Sequence, residues 1–181
     1  MESYIAILRG INVSGQKKIK MEDLRQLLAE LNFHDIQTYI QSGNVIFEQQ
    51  KSNPLDLARQ IEDKILAKYS FEVPVIVKTI ADLEHILHNN PFLKDRQEDE
   101  SKLHVTFLSE KPGEKLLNNI KGLDHKPDEF MISDQGIYLF CPNGYGRTKL
   151  TNNFFENKLK VTATTRNWKT VNKLVEIARS K

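Results

Sequence analysis

The chain has 181 residues, enough for one domain of ordinary size or for two small domains. Hydrophobic residues make up 39% of it and charged residues 28%, which are ordinary globular values and exclude disorder of the whole chain. Charged or amide residues interrupt every apolar run before the roughly 20 residues that a membrane span needs, so we expect no membrane protein. The single cysteine and the lack of a secretory signal pattern at the N-terminus favour the cytoplasm.

Positive charge is concentrated near the end of the chain. Residues 141–181 contain 9 Lys/Arg and 2 Asp/Glu, a net charge of +7. Residues 1–140 contain 17 Lys/Arg and 22 Asp/Glu, a net charge of −5. The two parts sum to the +2 of the whole chain. A basic segment favours an anionic partner, although a solvated helix gives the same count.

The first half is predicted to fold in the order strand, helix, strand, strand, helix, strand. Short apolar or alternating runs indicate the strands, and leucine or isoleucine at helical spacing indicates the helices. In chain order these are the strand 4–9, the helix 21–31, the strands 36–41 and 45–47, the helix 53–68 and the strand 73–77. This βαββαβ order is typical of ferredoxin-like folds, in which two helices cover one face of an antiparallel sheet. The side chains expected to be buried against that face are Leu24, Leu28, Ile61 and Ile65.

A polar run, Lys94–Ser101, separates this half from the rest. It contains no large apolar residue and is predicted to be an exposed connector after a helix at 81–88. We therefore divide the chain into a ferredoxin-like α+β subdomain, 1–92, and a second α+β subdomain, 93–181.

The second half is predicted as βαββ followed by two helices. Its elements are the strand 103–108, the helix 112–120, the strands 130–133 and 137–140, and helices at 152–159 and 167–179. Between the paired strands, Gly136 suits the left-handed bulge position of a three-residue hairpin loop. The predicted fold class is thus α+β throughout, and no residue-level repeat connects the halves.

The loop from Gly10 to Lys17 follows a strand and precedes a helix, as a phosphate-binding P-loop does. A P-loop has a lysine directly after its second glycine, whereas Gln16 intervenes here, so nucleotide hydrolysis is disfavoured. Binding of an anion by Arg9, Lys17 and Lys18 stays open, as does an ordinary loop with solvated lysines.

The segment Tyr145–Lys149 and the residue before it contain two glycines, Gly144 and Gly146, together with the cations Arg147 and Lys149, just before a predicted helix. Glycines permit close backbone approach, and the free amides of a helix start favour an anion. The alternative is that the glycines and Thr151 only shape and cap the turn. Arg166 repeats the pattern before the last helix, whereas Trp168 is expected in the core.

No catalytic constellation is recognisable in the sequence. Ser42-Gly43-Asn44 lacks the context of a nucleophile elbow, Cys141 has no sequence partner, and the five histidines show no zinc spacing. We expect no metal site and no cofactor, and whether the protein is an enzyme stays open.

Three stretches are similar to the bacterial family described as domain of unknown function (DUF) 1697. They are LRGINVSGQKKIKMEDLRQLL from Leu8, TYIQSGNVIF from Thr38 and YGRTKLTNNFFENKLKVTATTRNWKTVNKL from Tyr145. The resemblance extends over nearly the whole chain and implies two α+β subdomains, the first ferredoxin-like, with no established activity. Ser14 stands where the family more usually has a glycine.

The leading hypothesis is a cytoplasmic protein that binds a small phosphate-bearing ligand, either a nucleotide or a sugar phosphate. Its candidate binding residues are the cations Arg9, Lys17, Lys18, Arg147, Lys149 and Arg166. The alternatives are an enzyme that acts on a phosphorylated metabolite through the same cations, and a scaffold that binds protein or RNA. Nucleic acid is disfavoured because the basic segment has no exposed aromatic series on which bases could stack. The sequence does not indicate an oligomeric state.

Overall fold

The computed structural model describes all 181 residues, which form two compact units. The first unit comprises Met1–Ala81 together with Leu174–Lys181, and the second comprises Asp82–Lys173. These units differ from the predicted subdomains 1–92 and 93–181 in where residues 82–92 and 174–181 belong. Each unit contains one four-stranded antiparallel sheet, which confirms the predicted α+β class.

The first unit has its elements in the predicted βαββαβ order. They are β1 (Glu2–Leu8), α1 (Met21–Ala29), β2 (His34–Tyr39), β3 (Asn44–Gln49), α2 (Pro54–Tyr69) and β4 (Val75–Thr79). The strand order in the sheet is β2-β3-β1-β4, and every neighbouring pair is antiparallel. Because β3 lies between β1 and β2, the connection through α1 crosses over a strand.

The helices of the first unit pack on one face of this sheet as the leucine and isoleucine spacing predicts. Leu24, Leu28, Ile61 and Ile65 are completely buried and belong to one core with alternate residues of β1. The predicted helix 53–68 corresponds to α2, at whose start the Asn53 side chain accepts a hydrogen bond of 2.9 Å from the Leu55 amide, with proline at the first helical position.

The second sheet has the strand order β6-β7-β5-β8, again with antiparallel neighbours. The elements that follow β4 in the chain are α3 (Ile80–His88), α4 (Pro91–Lys94), β5 (Leu103–Leu108), α5 (Glu114–Ile120), β6 (Glu129–Ile132), β7 (Ile137–Phe140), α6 (Asn152–Leu159), β8 (Ala163–Asn167) and α7 (Trp168–Arg179). None of these helices, nor those of the first unit, has the length and apolar character that a membrane crossing requires.

The strand β8 corrects the predicted βαββ arrangement of the second half, which had no strand between its last two helices. Its sequence, Ala-Thr-Thr-Arg-Asn, has no large apolar residue to mark a buried face. It forms because β-branched threonines suit a strand and because β5 supplies hydrogen-bonding partners along its whole length. The second half therefore also has the order βαββαβ.

The polar run Lys94–Ser101 is largely exposed, as expected, but it is more than a connector. The Arg96 guanidinium forms ion pairs with Glu98 and Glu129 and lies about 5.5 Å from the ring centres of Phe92 and Phe140. The run is thereby attached to β6 and β7 of the second unit.

Gly136 does not take the predicted left-handed bulge position. Its φ lies outside the left-handed region, and the loop is closed by Ser133, whose hydroxyl accepts hydrogen bonds from the Gln135 and Gly136 amides. The glycine is needed for space instead, because a Cβ there would lie 3.0 Å from the Thr106 carbonyl oxygen.

Candidate functional site

The connection from β1 to α1 is held together by Asn12. Its side-chain amide donates to the carbonyls of Ile19 and Gln41 at 2.9 and 2.8 Å, and its carbonyl accepts from the Ile19 amide. Within the connection, Ser14 and Gly15 both have left-handed φ, as in the central residues of a type I′ turn. The loop is thus a fixed structure tied to the β2–β3 hairpin.

The three candidate cations of the first unit have different environments. Lys17 donates from Nζ to the Glu72 carbonyl at 2.6 Å, so its ammonium group already has a partner. Arg9 is half-buried, whereas Lys18 is exposed. Lys18 and Lys20 line an open groove of about 520 Å³ together with the carboxylate of Asp23.

The connection from β7 to α6 carries two candidate cations of the second unit. One turn of 3-10 helix, Tyr145–Arg147, follows Gly144, whose φ of 90° is left-handed. Thr148 is buried and accepts a hydrogen bond of 3.1 Å from the Leu150 amide. Its neighbours Arg147 and Lys149 are exposed and have no acceptor in the chain.

Tyr145 packs this turn against β5, and its hydroxyl interacts electrostatically with Arg166 of β8. The Tyr145 ring stacks on the His104 ring with centres 5.0 Å apart. The Arg166 guanidinium donates to Thr164 Oγ1 and to the Thr165 carbonyl at 3.2 and 3.0 Å. Burial lowers the pKa of Arg166 to about 10, and the nearby Tyr145 hydroxyl opposes this shift, so Arg166 is cationic at neutral pH. The turn that bears Arg147 and Lys149 is therefore anchored on His104, whereas Arg166 pairs with Val105 and so faces the other side of the sheet.

A chain of polar side chains fixes the start of α6 against the sheet. Thr106 and Thr165 share a hydroxyl hydrogen bond of 2.8 Å, and Thr165 donates to Asn152 Oδ1 at 2.7 Å. Thr151 caps the helix by accepting from the Phe154 amide at 3.2 Å, so the expected cap is present. The backbone around Arg147 and Lys149 is therefore held on both sides.

His104 is a residue of this region that the sequence reasoning missed. Its Nδ1 is buried without a hydrogen-bond partner, and burial lowers the pKa of the ring while the Lys102 carbonyl opposes the shift. The only signal in the sequence is a histidine within the otherwise apolar and β-branched strand Leu103–Leu108. The lowered pKa keeps this imidazole neutral at pH 7, the form that has a proton-accepting nitrogen.

Other residues considered from the sequence have structural environments. Cys141 is fully buried, and burial raises the pKa of its thiol to about 11. Trp168 is buried with 3% of its surface exposed, as expected for a core residue. No group of three or more His, Cys, Asp or Glu side chains is placed to hold a metal ion.

A second groove, of about 470 Å³, runs along β6 and contains none of the six candidate cations. Arg96, Lys121 and Lys126 line it together with Asp124, Asp128 and Glu129. The formal charges of these six side chains cancel, so this groove gives no preference for an anion.

Comparisons with known proteins identify a protein family and a similar solved structure. Residues 1–138 match the family described as "Protein of unknown function (DUF1697)". The conserved bacterial protein SP0830 from Streptococcus pneumoniae has a similar solved structure, with a TM-score of 0.77, 26% sequence identity and 98% of each chain covered. A search of curated proteins found no match. With most of its length matched, the chain belongs to the DUF1697 family.

Proposed function

We propose that the protein binds a small phosphate-bearing anion, a nucleotide or a sugar phosphate, at the turn formed by residues 145–151. The observation that carries the proposal is the anchoring of this turn by Tyr145, which stacks on His104. Arg147 and Lys149 are exposed residues of this turn, and Arg166 is the penultimate residue of β8.

The three cations offer complementary chemistry to a phosphate. An exposed arginine presents a planar fork that matches two phosphate oxygens, and a lysine contributes a compact point charge. Arg166 is partly desolvated, so it attracts an anion more strongly than a fully hydrated arginine would. The glycines on either side of Tyr145 leave room for a ligand close to the backbone.

The first-unit cations Arg9, Lys17 and Lys18 are further candidates for the same kind of ligand. Lys18 fits this role best, because it lines the groove of the first unit and has no acceptor in the chain. Lys17 would have to exchange its hydrogen bond with the Glu72 carbonyl for one with the ligand.

The test is a thermal-shift screen of the whole chain with inorganic phosphate, mononucleotides, sugar phosphates and a short RNA, followed by titration of any hit. A ligand that binds the folded state raises the transition temperature by mass action. Arg147→Ala should weaken binding about tenfold, or about 1.4 kcal/mol, through loss of a charge-assisted hydrogen bond. The control Lys158→Ala removes an exposed cation of the same basic segment away from the turn and should leave the affinity unchanged.

Two results would contradict the proposal. If Arg147→Ala retains full affinity for the hit, the turn is not the binding site. A small ligand should also lose affinity only gently with salt, whereas a nucleic acid strand gives a log–log slope of about −0.7 for each phosphate contact. Tight RNA binding with a steep slope would therefore replace the small ligand.

His104 favours a second candidate function, an enzyme that acts on a phosphorylated metabolite. Its imidazole is partly desolvated, has an unpaired Nδ1 and touches the Tyr145 ring at the base of the turn. In this role His104 would exchange a proton with the substrate while the three cations stabilise developing negative charge. Release of inorganic phosphate in the same mixtures, abolished by His104→Gln with ligand affinity retained, would favour the enzyme over the binding protein.

A further inference from the structure

Two turns of the first unit lie side by side at one end of its sheet. One is the turn Val13–Gln16, and the other is the loop Ile40–Gly43 between β2 and β3. The Asn12 amide donates to the Gln41 carbonyl at 2.8 Å and joins the residue before the first turn to the second loop. The positions of the two turns are therefore fixed relative to each other.

Each turn exposes a β-branched apolar side chain. Val13 is 58% exposed and Ile40 is 48% exposed, whereas the core of this unit buries its isoleucines and valines almost completely. Ile40 also has a φ of 53°, a left-handed conformation that a β-branched residue rarely adopts. Asparagine or glycine would take this conformation with less strain. Ile40 is thus both strained and poorly buried, so its presence is not explained by stability.

The space beside these turns is cationic. The groove of about 520 Å³ is lined by Lys18 and Lys20 and by a single carboxylate, Asp23. Both lysines are exposed and have no acceptor in the chain. Amide side chains of Asn12 and Gln41 complete its polar wall. The surface therefore presents two apolar tips next to an excess of positive charge.

We propose that this end of the first unit docks an extended segment of a partner protein in which carboxylate side chains alternate with aliphatic ones. The carboxylates would pair with Lys18 and Lys20, and the aliphatic side chains would cover Val13 and Ile40. A chain segment fits the observations better than an anionic membrane surface, because a lipid interface would cover the tips and leave the polar groove beside them unfilled.

The experiment measures fluorescence anisotropy of the whole chain with a short labelled peptide of alternating Asp/Glu and Leu/Val residues. Two matched peptides replace either the acids by Asn/Gln or the aliphatics by Ser, and only the parent peptide should bind. Ile40→Asn should raise the melting temperature, because the strain is relieved, and should weaken peptide binding about fivefold or more. Lys18→Ala should weaken binding and reduce its salt dependence.

The control variant Leu66→Asn replaces an aliphatic side chain of α2 that is 42% exposed, and it should leave peptide affinity unchanged. The proposal is overturned if Ile40→Asn stabilises the protein with unchanged affinity, or if the uncharged peptide binds as well as the acidic one. A fall in melting temperature in Ile40→Asn would remove the strain argument. Binding to vesicles of phosphatidylserine and phosphatidylcholine without binding to the peptide would assign the surface to lipid instead.

Discussion

The two units share one topology but place their long connections differently. Both have the order βαββαβ, with matching strand orders β2-β3-β1-β4 and β6-β7-β5-β8. In the first unit the long connection, 9–20, follows the first strand, whereas in the second unit it is 141–151 and follows the third strand. First and third strands are antiparallel neighbours, so these connections leave equivalent sheets at opposite ends. Five of the six candidate cations lie on these two connections.

The long connections also differ in how they are stabilised. The first contains five residues with left-handed φ and is held by the partly buried hydrogen bonds of Asn12. The second has a single left-handed residue, Gly144, and is held by threonine hydroxyls at Thr148 and Thr151. The first unit thus stores backbone strain at its candidate surface, and the second does not.

The largest expected difference between the units is in the stability lost when two equivalent glycines are replaced by alanine. Gly43 and Gly136 each directly precede the third strand of their unit. A Cβ at Gly43 would lie 2.8 Å from Leu8 Cβ and 2.7 Å from Ile11, at a φ of 85°. Gly43→Ala should therefore destabilise the protein by about 3 kcal/mol or more, from overpacking together with the left-handed conformation. Gly136→Ala should destabilise the protein by only about 1 kcal/mol, because residue 136 does not have a left-handed φ.

Urea unfolding followed by far-ultraviolet circular dichroism gives both free energies of unfolding. Gly122→Ala is a useful reference, because nothing lies within 4 Å of a Cβ there and only its φ of 79° is unfavourable. Equal losses in the free energy of unfolding for Gly43→Ala and Gly136→Ala would mean that the two hairpins tolerate a side chain equally well. The proposed difference between the units would then be wrong.

Sequence periodicity was sufficient for the parts of the fold that bury large apolar residues. Leu24, Leu28, Ile61 and Ile65 repeat at helical spacing, and all four are buried against β1. Periodicity failed at β8, because a strand of threonines with one arginine has no apolar face and is stabilised by pairing with β5, which is distant in sequence. Local turn patterns also failed at Gly136, where the close approach of the Thr106 carbonyl favours a residue without a Cβ.

The candidate site was predicted only in its local part. Glycines, hydroxyls and cations between residues 144 and 151 are visible in the sequence, and they do form an anchored turn. The contact that gives the turn its place joins Tyr145 to His104 of β5, and no local pattern could indicate this partner. The same limit applies to Lys17, whose partner is the carbonyl of Glu72.

A smaller effect is expected at the caps of two equivalent helices. Asn53 caps α2 and Thr151 caps α6, with hydrogen bonds of 2.9 and 3.2 Å to backbone amides. Asn53→Ala and Thr151→Ala should each destabilise the protein by about 1 kcal/mol. Thr151→Ala should in addition weaken any ligand bound at the turn, because the cap holds the backbone next to Lys149. If Thr151→Ala leaves ligand affinity unchanged, as Asn53→Ala should, the α6 cap has only a structural role.

The smallest expected effect is a gain in stability at Ser14. This serine has a φ of 51° at the tip of the Val13–Gln16 turn. Ser14→Gly should relieve the left-handed conformation, but glycine also gains conformational entropy in the unfolded state. The net stabilisation should therefore be only about 0.5 kcal/mol, measurable as a shift of the urea midpoint.

The control Ser133→Gly removes a hydroxyl that accepts from the Gln135 and Gly136 amides, and it should destabilise the second unit by about 1 kcal/mol. Opposite signs for the two serine variants would support the contrast between a strained connection in the first unit and a hydrogen-bonded hairpin in the second. Destabilisation in both would mean that Ser14 makes a contribution to the folded state that outweighs its strain.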